Sequence, residues 1–97
     1  MYLSCHLKID QQVLFKKVQL MKVKQNRKLK NYYLLCTSPK AGALFEIIPG
    51  DQLSDKYSEC YLVGISKEKE WLVQYILELV DKLYNTTEIE YPMLKVE

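Results

Sequence analysis

The sequence predicts an α+β domain: an antiparallel β-meander of four to five strands with one long C-terminal helix packed on one face. Three observations support this. Short runs rich in aliphatic and aromatic residues recur between turn signals, as in Asn31–Thr37, Ala43–Ile48 and Cys60–Ile65. One long stretch, residues 67–84, reads as a helix, its apolar-rich run from Trp71 to Tyr84 interrupted only by Gln74, Glu78, Asp81 and Lys82. The elements follow in the order β-β-β-β-β-α, most simply a meander carrying a helix.

The first strand is Tyr2 to Ile9. Leu3, Cys5, Leu7 and Ile9 alternate with Ser4, His6 and Lys8, a period of two with one apolar face. Asp10-Gln11-Gln12 breaks it. Residues 13–24 fit two periods. As a helix, Leu14, Phe15, Val18 and Met21 make one stripe. As a strand, the alternation is imperfect. No good N-cap opens the segment and no glycine closes it. The strand reading is preferred because the following segments offer a hairpin partner, with the helix as the alternative. Gln25 to Lys30 is a polar loop.

Residues 31–48 form the clearest hairpin. NYYLLCT and ALFEII flank Ser38-Pro39-Lys40-Ala41-Gly42, where proline fixes φ and glycine admits positive φ. Pro49-Gly50-Asp51 ends the second strand, residues 51–59 read as a polar loop, and Cys60–Ile65 is the fifth strand. Ser66 is the candidate N-cap, with Glu68 and Glu70 near the positive end of the helix dipole. Lys69 at N3 rules out a strict capping box. Thr86-Thr87 close the helix. Residues 1–90 make one domain and residues 91–97, with Tyr91-Pro92, a loose C-terminal tail.

The 97 residues suffice for one domain. Three glycines, three prolines and 48% apolar residues exclude low-complexity and disordered classes. No run reaches the roughly 18–20 apolar residues of a membrane span, and no basic segment with an apolar core opens the chain. Three cysteines, Cys5, Cys36 and Cys60, with no CxxC, argue against a disulfide framework and for a reducing compartment. A cytoplasmic protein is expected.

Both faces of the sheet look apolar. Tyr32, Leu34 and Cys36 oppose Tyr33 and Leu35. Leu44 and Ile48 flank Glu46, opposite Ala43, Phe45 and Ile47. Tyr61, Val63 and Ile65 oppose Cys60 and Leu62. The helix leaves only Gln74, Glu78, Asp81 and Lys82 as a narrow polar stripe, far less than an ordinary surface helix. The surplus has three possible covers: residues 13–24 as a helix, the C-terminal tail folded back, or a second copy in a twofold dimer. Association is the preferred cover, with Trp71, Tyr75, Leu79 and Tyr32 as the interface residues.

The chemistry is sparse. The cysteines fall in strands and read as buried, inert thiols. His6 is the sole histidine, and adjacent Cys5 and His6 point to opposite faces, so no zinc site is expected. No nucleophile elbow, dinucleotide fingerprint or phosphate loop occurs. Glu78 and Asp81 read as a solvated pair. No catalytic residues, cofactor or metal are therefore expected.

Charge is uneven. Residues 1–40 carry nine basic groups against Asp10, and residues 41–97 carry five basic against eleven acidic groups. Lys16, Lys17, Lys22, Lys24, Arg27, Lys28 and Lys30 form a run without an acid, beside Phe15, Tyr32 and Tyr33. Such a run suits a nucleic acid or other polyanion. The preponderance of lysine over arginine suits a solvated edge equally well. The sequence thus predicts a small non-enzymatic interaction or accessory protein, self-associating as a homodimer, with polyanion binding through residues 16–30 as the alternative.

Overall fold

The computed structural model describes residues 1–11 and 17–97. It is an α+β fold built on one four-stranded sheet. The elements are β1 (Tyr2–Ile9), α1 (Lys17–Lys24), β2 (Tyr33–Thr37), β3 (Phe45–Pro49), β4 (Tyr61–Ser66) and α2 (Lys69–Val80). The strand order is β1-β4-β2-β3. β2 pairs antiparallel with β3 and β4, but β1 pairs parallel with β4. The sheet is mixed, not a purely antiparallel meander.

The reason lies in residues 17–24, which form a helix where a strand was expected. Residues 13–16 of that expectation are outside the described residues. With a helix after it, β1 has no hairpin partner, and β4 inserts between β1 and β2. A parallel pair needs a long connection, and α1, β2 and β3 supply it here. The stop signal of α1 is Asn26, in left-handed conformation at φ 57°. The Asn26 amide donates to the Val23 carbonyl and the Arg27 amide to the Lys22 carbonyl, at 3.0 and 2.8 Å. This is a Schellman end with asparagine in the usual place of glycine. The Met1 ammonium donates to the Asn26 Oδ1 and to the Lys24 carbonyl.

The expected hairpin is present, from Tyr33 opposite Pro49 to Thr37 opposite Phe45. Its turn has Gly42 at φ 84° and the Ser38 hydroxyl accepting from the Lys40 amide at 3.1 Å.

Both sheet faces are covered from within the chain. On one, Leu34, Cys36, Ile48, Cys60, Leu62 and Ile65 pack with Met1, Val23 and Leu29. Leu53 and Tyr57, from a segment read as a polar loop, complete that cover. On the other, Leu35 and Val63 pack against Leu72, Tyr75 and Leu79 of α2, and Leu94 joins them. The tail expected to be loose is thus a docked turn, Tyr91–Lys95, with Leu94 fully buried and the Tyr91 hydroxyl donating to the Leu44 carbonyl at 2.7 Å. Burying a leucine in this way stabilises by about 1.5–3 kcal/mol.

β4 contains a bulge. Leu35 pairs with Gly64 and Cys36 with Leu62, leaving Val63 as the extra residue. The slip returns Ile65 to the face of Leu62 and leaves Val63 alone against α2. The expected grouping of Val63 with Ile65 therefore fails. Gly64 sits at the closest approach of α2: a Cβ there would lie 3.0 Å from Leu72 and 3.3 Å from Tyr75. β1 slips more, advancing from Leu3 to Lys8 while β4 advances from Leu62 to Gly64. The looped-out backbone is held by its neighbours. The Cys5 amide donates to the Val96 carbonyl at 2.7 Å, and the Tyr75 hydroxyl donates to the His6 carbonyl at 2.8 Å.

Candidate functional site

α2 is the element with the most chemistry left over. It extends through a wider turn, Asp81–Asn85. Before it, the Ser66 hydroxyl accepts from the Glu68 amide at 3.0 Å and donates to the Asp10 carboxylate at 2.7 Å. Ser66 is therefore not the N-cap that the sequence suggests: it ends β4, Glu68 takes the cap position of α2 without a side-chain cap bond, and the Ser66 hydroxyl instead ties this junction to the end of β1. Leu72, Tyr75 and Leu79, spaced three and four apart, face the sheet.

The residues expected at an interface fall in different places. Tyr75 is 7% exposed and Leu79 2%, so both are committed to the core of their own chain. Trp71 is half-buried beside Tyr75, with ring centroids 6.0 Å apart. Tyr32 packs on the opposite sheet face, under the Lys67 ammonium, and accepts a hydrogen bond from Gln19 Nε2 at 3.4 Å. The fold does not bring Tyr32 to the other three.

What α2 offers outward is a second stripe. Val73, Leu77 and Tyr84 are 41%, 57% and 62% exposed, and Val80 between them is half-buried. Val73, Leu77 and Val80 have the four-and-three spacing of a coiled-coil seam, and Tyr84 follows them in the wider turn. The wide apolar circumference was visible in the sequence. Which residues faced out was not, because that depends on which arc the sheet covers. Among the described residues the other large exposed hydrophobics, Tyr2, Met21, Met93 and Val96, stand apart from this stripe in the sequence.

Beside the stripe, a groove runs between β1 and the start of α2. It is lined by Lys8, Glu68, Glu70, Trp71, Gln74, Tyr75 and Glu78. The Lys8 ammonium lies 5.6 Å from the Trp71 ring, 5.1 Å from the Tyr75 ring and 3.4 Å from the Glu78 carboxylate. Burial raises the Tyr75 phenol above its ordinary range, and the Glu78 charge adds to the rise.

Lys22, Lys24, Arg27, Lys28 and Lys30 of the basic run are exposed; Lys17 opens α1, and Lys16 lies outside the described residues. Buried Val23 and Leu29 fasten this segment to the sheet and leave its cations outward. Among the described residues no ion pair engages them. Gly50 lies against the Leu29 carbonyl so closely that a Cβ would overlap it at 2.0 Å.

The thiols divide. Cys36 and Cys60 are buried, and burial raises both pKa values. Cys5 is exposed, contrary to the expected buried strand position, because the β1 bulge turns it out toward the Met93 carbonyl at 3.7 Å. Among the described residues no three of His, Cys, Asp and Glu converge as metal ligands, and no helix is long and apolar enough to cross a membrane. Comparison with family models, curated proteins and solved structures finds no match to this chain.

Proposed function

We propose that the protein is a non-enzymatic interaction module that pairs with a second copy of itself along the outer face of α2. One observation carries the reading. Both sheet faces are covered by the chain's own segments, while Val73, Leu77, Val80 and Tyr84 form an aligned seam outside. A helix with a second apolar face is suited to a partner helix.

The seam is self-complementary when two copies run antiparallel. Leu77 then meets the partner's Val80, and Val73 meets the partner's Tyr84. On one flank Gln74 meets the partner's Asp81, and on the other Ile76 meets the partner's Leu83. No like charges oppose each other. A parallel pairing would set Asp81 against the apolar flank, which costs desolvation of a carboxylate. The twofold arrangement is therefore favoured. The seam spans eleven residues of rise, about 16 Å. That is short of a standard interface of about 800 Å² per partner, so the dimer is expected to dissociate in the micromolar range. Sedimentation equilibrium from about 1 to 100 μM should show reversible monomer–dimer exchange. A strict monomer throughout would reject the reading.

A second reading rests on the exposed cations of residues 22–30, which no ion pair engages among the described residues. Beside half-buried Tyr32 they suit a polyanion backbone. It uses the face of the sheet opposite α2 and is independent of the dimer.

A further inference from the structure

We propose that the groove between β1 and α2 is a seat for a lysine or arginine side chain of a basic polypeptide segment, with Lys8 as its displaceable resident. The groove has an aromatic floor and an acidic rim. Trp71 and Tyr75 lie 6.0 Å apart and tilted by 38°, so both present ring surface to one cation. Glu68, Glu70 and Glu78 edge the same hollow, about 230 Å³ in volume, and it opens past Lys8 and Glu68 into a second of about 520 Å³ bounded by Asp10 and Gln11. Ring faces attract an ammonium or guanidinium, and carboxylates add a screened Coulomb attraction.

The chain itself shows what chemistry fits. Lys8 comes from the end of the β1 slip, beyond the bulge, and lays its ammonium over both rings while reaching Glu78. Its tether is weak, since the Lys8 and Glu78 side chains are each about half exposed. One resident cation leaves Glu68 and Glu70 without an ion-pair partner among the described residues. The rim therefore holds more negative charge than its occupant neutralises. A neutral or anionic ligand has nothing here to replace the Lys8 contacts. A basic segment has several cations to offer, one for the rings and others for the rim.

The groove lies on the flank of α2 next to the outer seam and shares no aromatic residue with it. Its failure and the failure of dimerisation are therefore separable. Trp71 is the sole tryptophan, so its emission reports this site directly.

The test is the binding of a fluorescently labelled octalysine peptide at low ionic strength, read by anisotropy and by Trp71 emission, with octaglutamate as control. Lys8→Ala removes the resident and should tighten octalysine binding about tenfold, with a shift in Trp71 emission. Lys82→Ala makes the same charge change outside the groove and should leave affinity near that of wild type. Adding Glu70→Gln and Glu78→Gln to Lys8→Ala should lose the gain. If Lys8→Ala fails to fold, Trp71→Leu carries the test by anisotropy, with about a tenfold loss relative to wild type. Equal tightening by Lys8→Ala and Lys82→Ala, an unresponsive Trp71 or undiminished binding by Trp71→Leu would each overturn the proposal.

Discussion

Single residues decide how the interior behaves. The Tyr57 hydroxyl donates to Glu46 Oε1 at 2.8 Å within the first core. Burial, then the bonded carboxylate, pushes its pKa up to about 12. The unfolded phenol ionises near pH 10. A raised native pKa means the folded state holds its proton longer. That stabilisation is present below about pH 10 and is lost as pH rises toward 12. Cys36 and Cys60 act in the same direction from a lower onset. The denaturant midpoint should therefore fall above about pH 9, and Tyr57→Phe should make the fall between pH 10 and 12 shallower. An identical alkaline slope in wild type and Tyr57→Phe would contradict this account of Tyr57. The thiols give a second prediction. An aromatic disulfide reagent should modify one cysteine rapidly in the native protein, Cys5, and three in denaturant. Three fast native thiols would mean that the core around Cys36 and Cys60 opens readily.

At the scale of elements, legibility followed period and punctuation. The β2–β3 hairpin was readable because proline, glycine and strong strand formers agree over residues 31–48. The face assignments of Tyr33, Leu34, Leu35 and Cys36 were right because both strands keep alternation there. α2 was readable from its length and apolar density, but its start was not: Ser66 ends β4 and binds Asp10, and Glu68 holds the cap position. α1 was misread because Asn26 closes it in place of glycine and because two periods compete over a short lysine-rich segment. The Val63 bulge was hidden: a slip in register depends on three strands meeting and leaves no mark beyond a glycine. Residues 22–30 present Lys22, Lys24, Arg27, Lys28 and Lys30 outward. If that strip binds polyanions, oligonucleotide affinity should fall steeply with salt, and Arg27→Ala with Lys28→Ala should reduce the slope by about two. No binding at low salt would leave the strip a solvated surface.

The whole molecule is a sheet clothed on both sides by a chain of 97 residues. Of the three covers for the apolar surplus, a helix from residues 17–24 is in place on the face opposite α2, while the C-terminal segment folds back on the face that α2 already covers. What remains for a partner is smaller and sits elsewhere than Trp71, Tyr75, Leu79 and Tyr32. Two of those four are interior, which no helical wheel could tell, since α2 is apolar on nearly every side. Charge divides along the same axis: the basic strip lies with α1, and Glu70, Glu78 and Asp81 lie on α2 and its last turn. A dimer along the outer seam would therefore leave both basic strips free. It would be insensitive to salt, unlike an association of basic with acidic faces.

The central claim is that the exposed stripe of α2 joins two copies. The direct measurement is sedimentation velocity of wild type and Leu77→Glu at one concentration, about 50 μM, in low and high salt. Leu77 is 57% exposed, so the substitution leaves the core intact, and the two chains should melt alike once diluted below the dissociation constant. The account predicts a dimer for wild type at both salts and a monomer for Leu77→Glu. A Leu77→Glu chain that sediments as wild type does would contradict it.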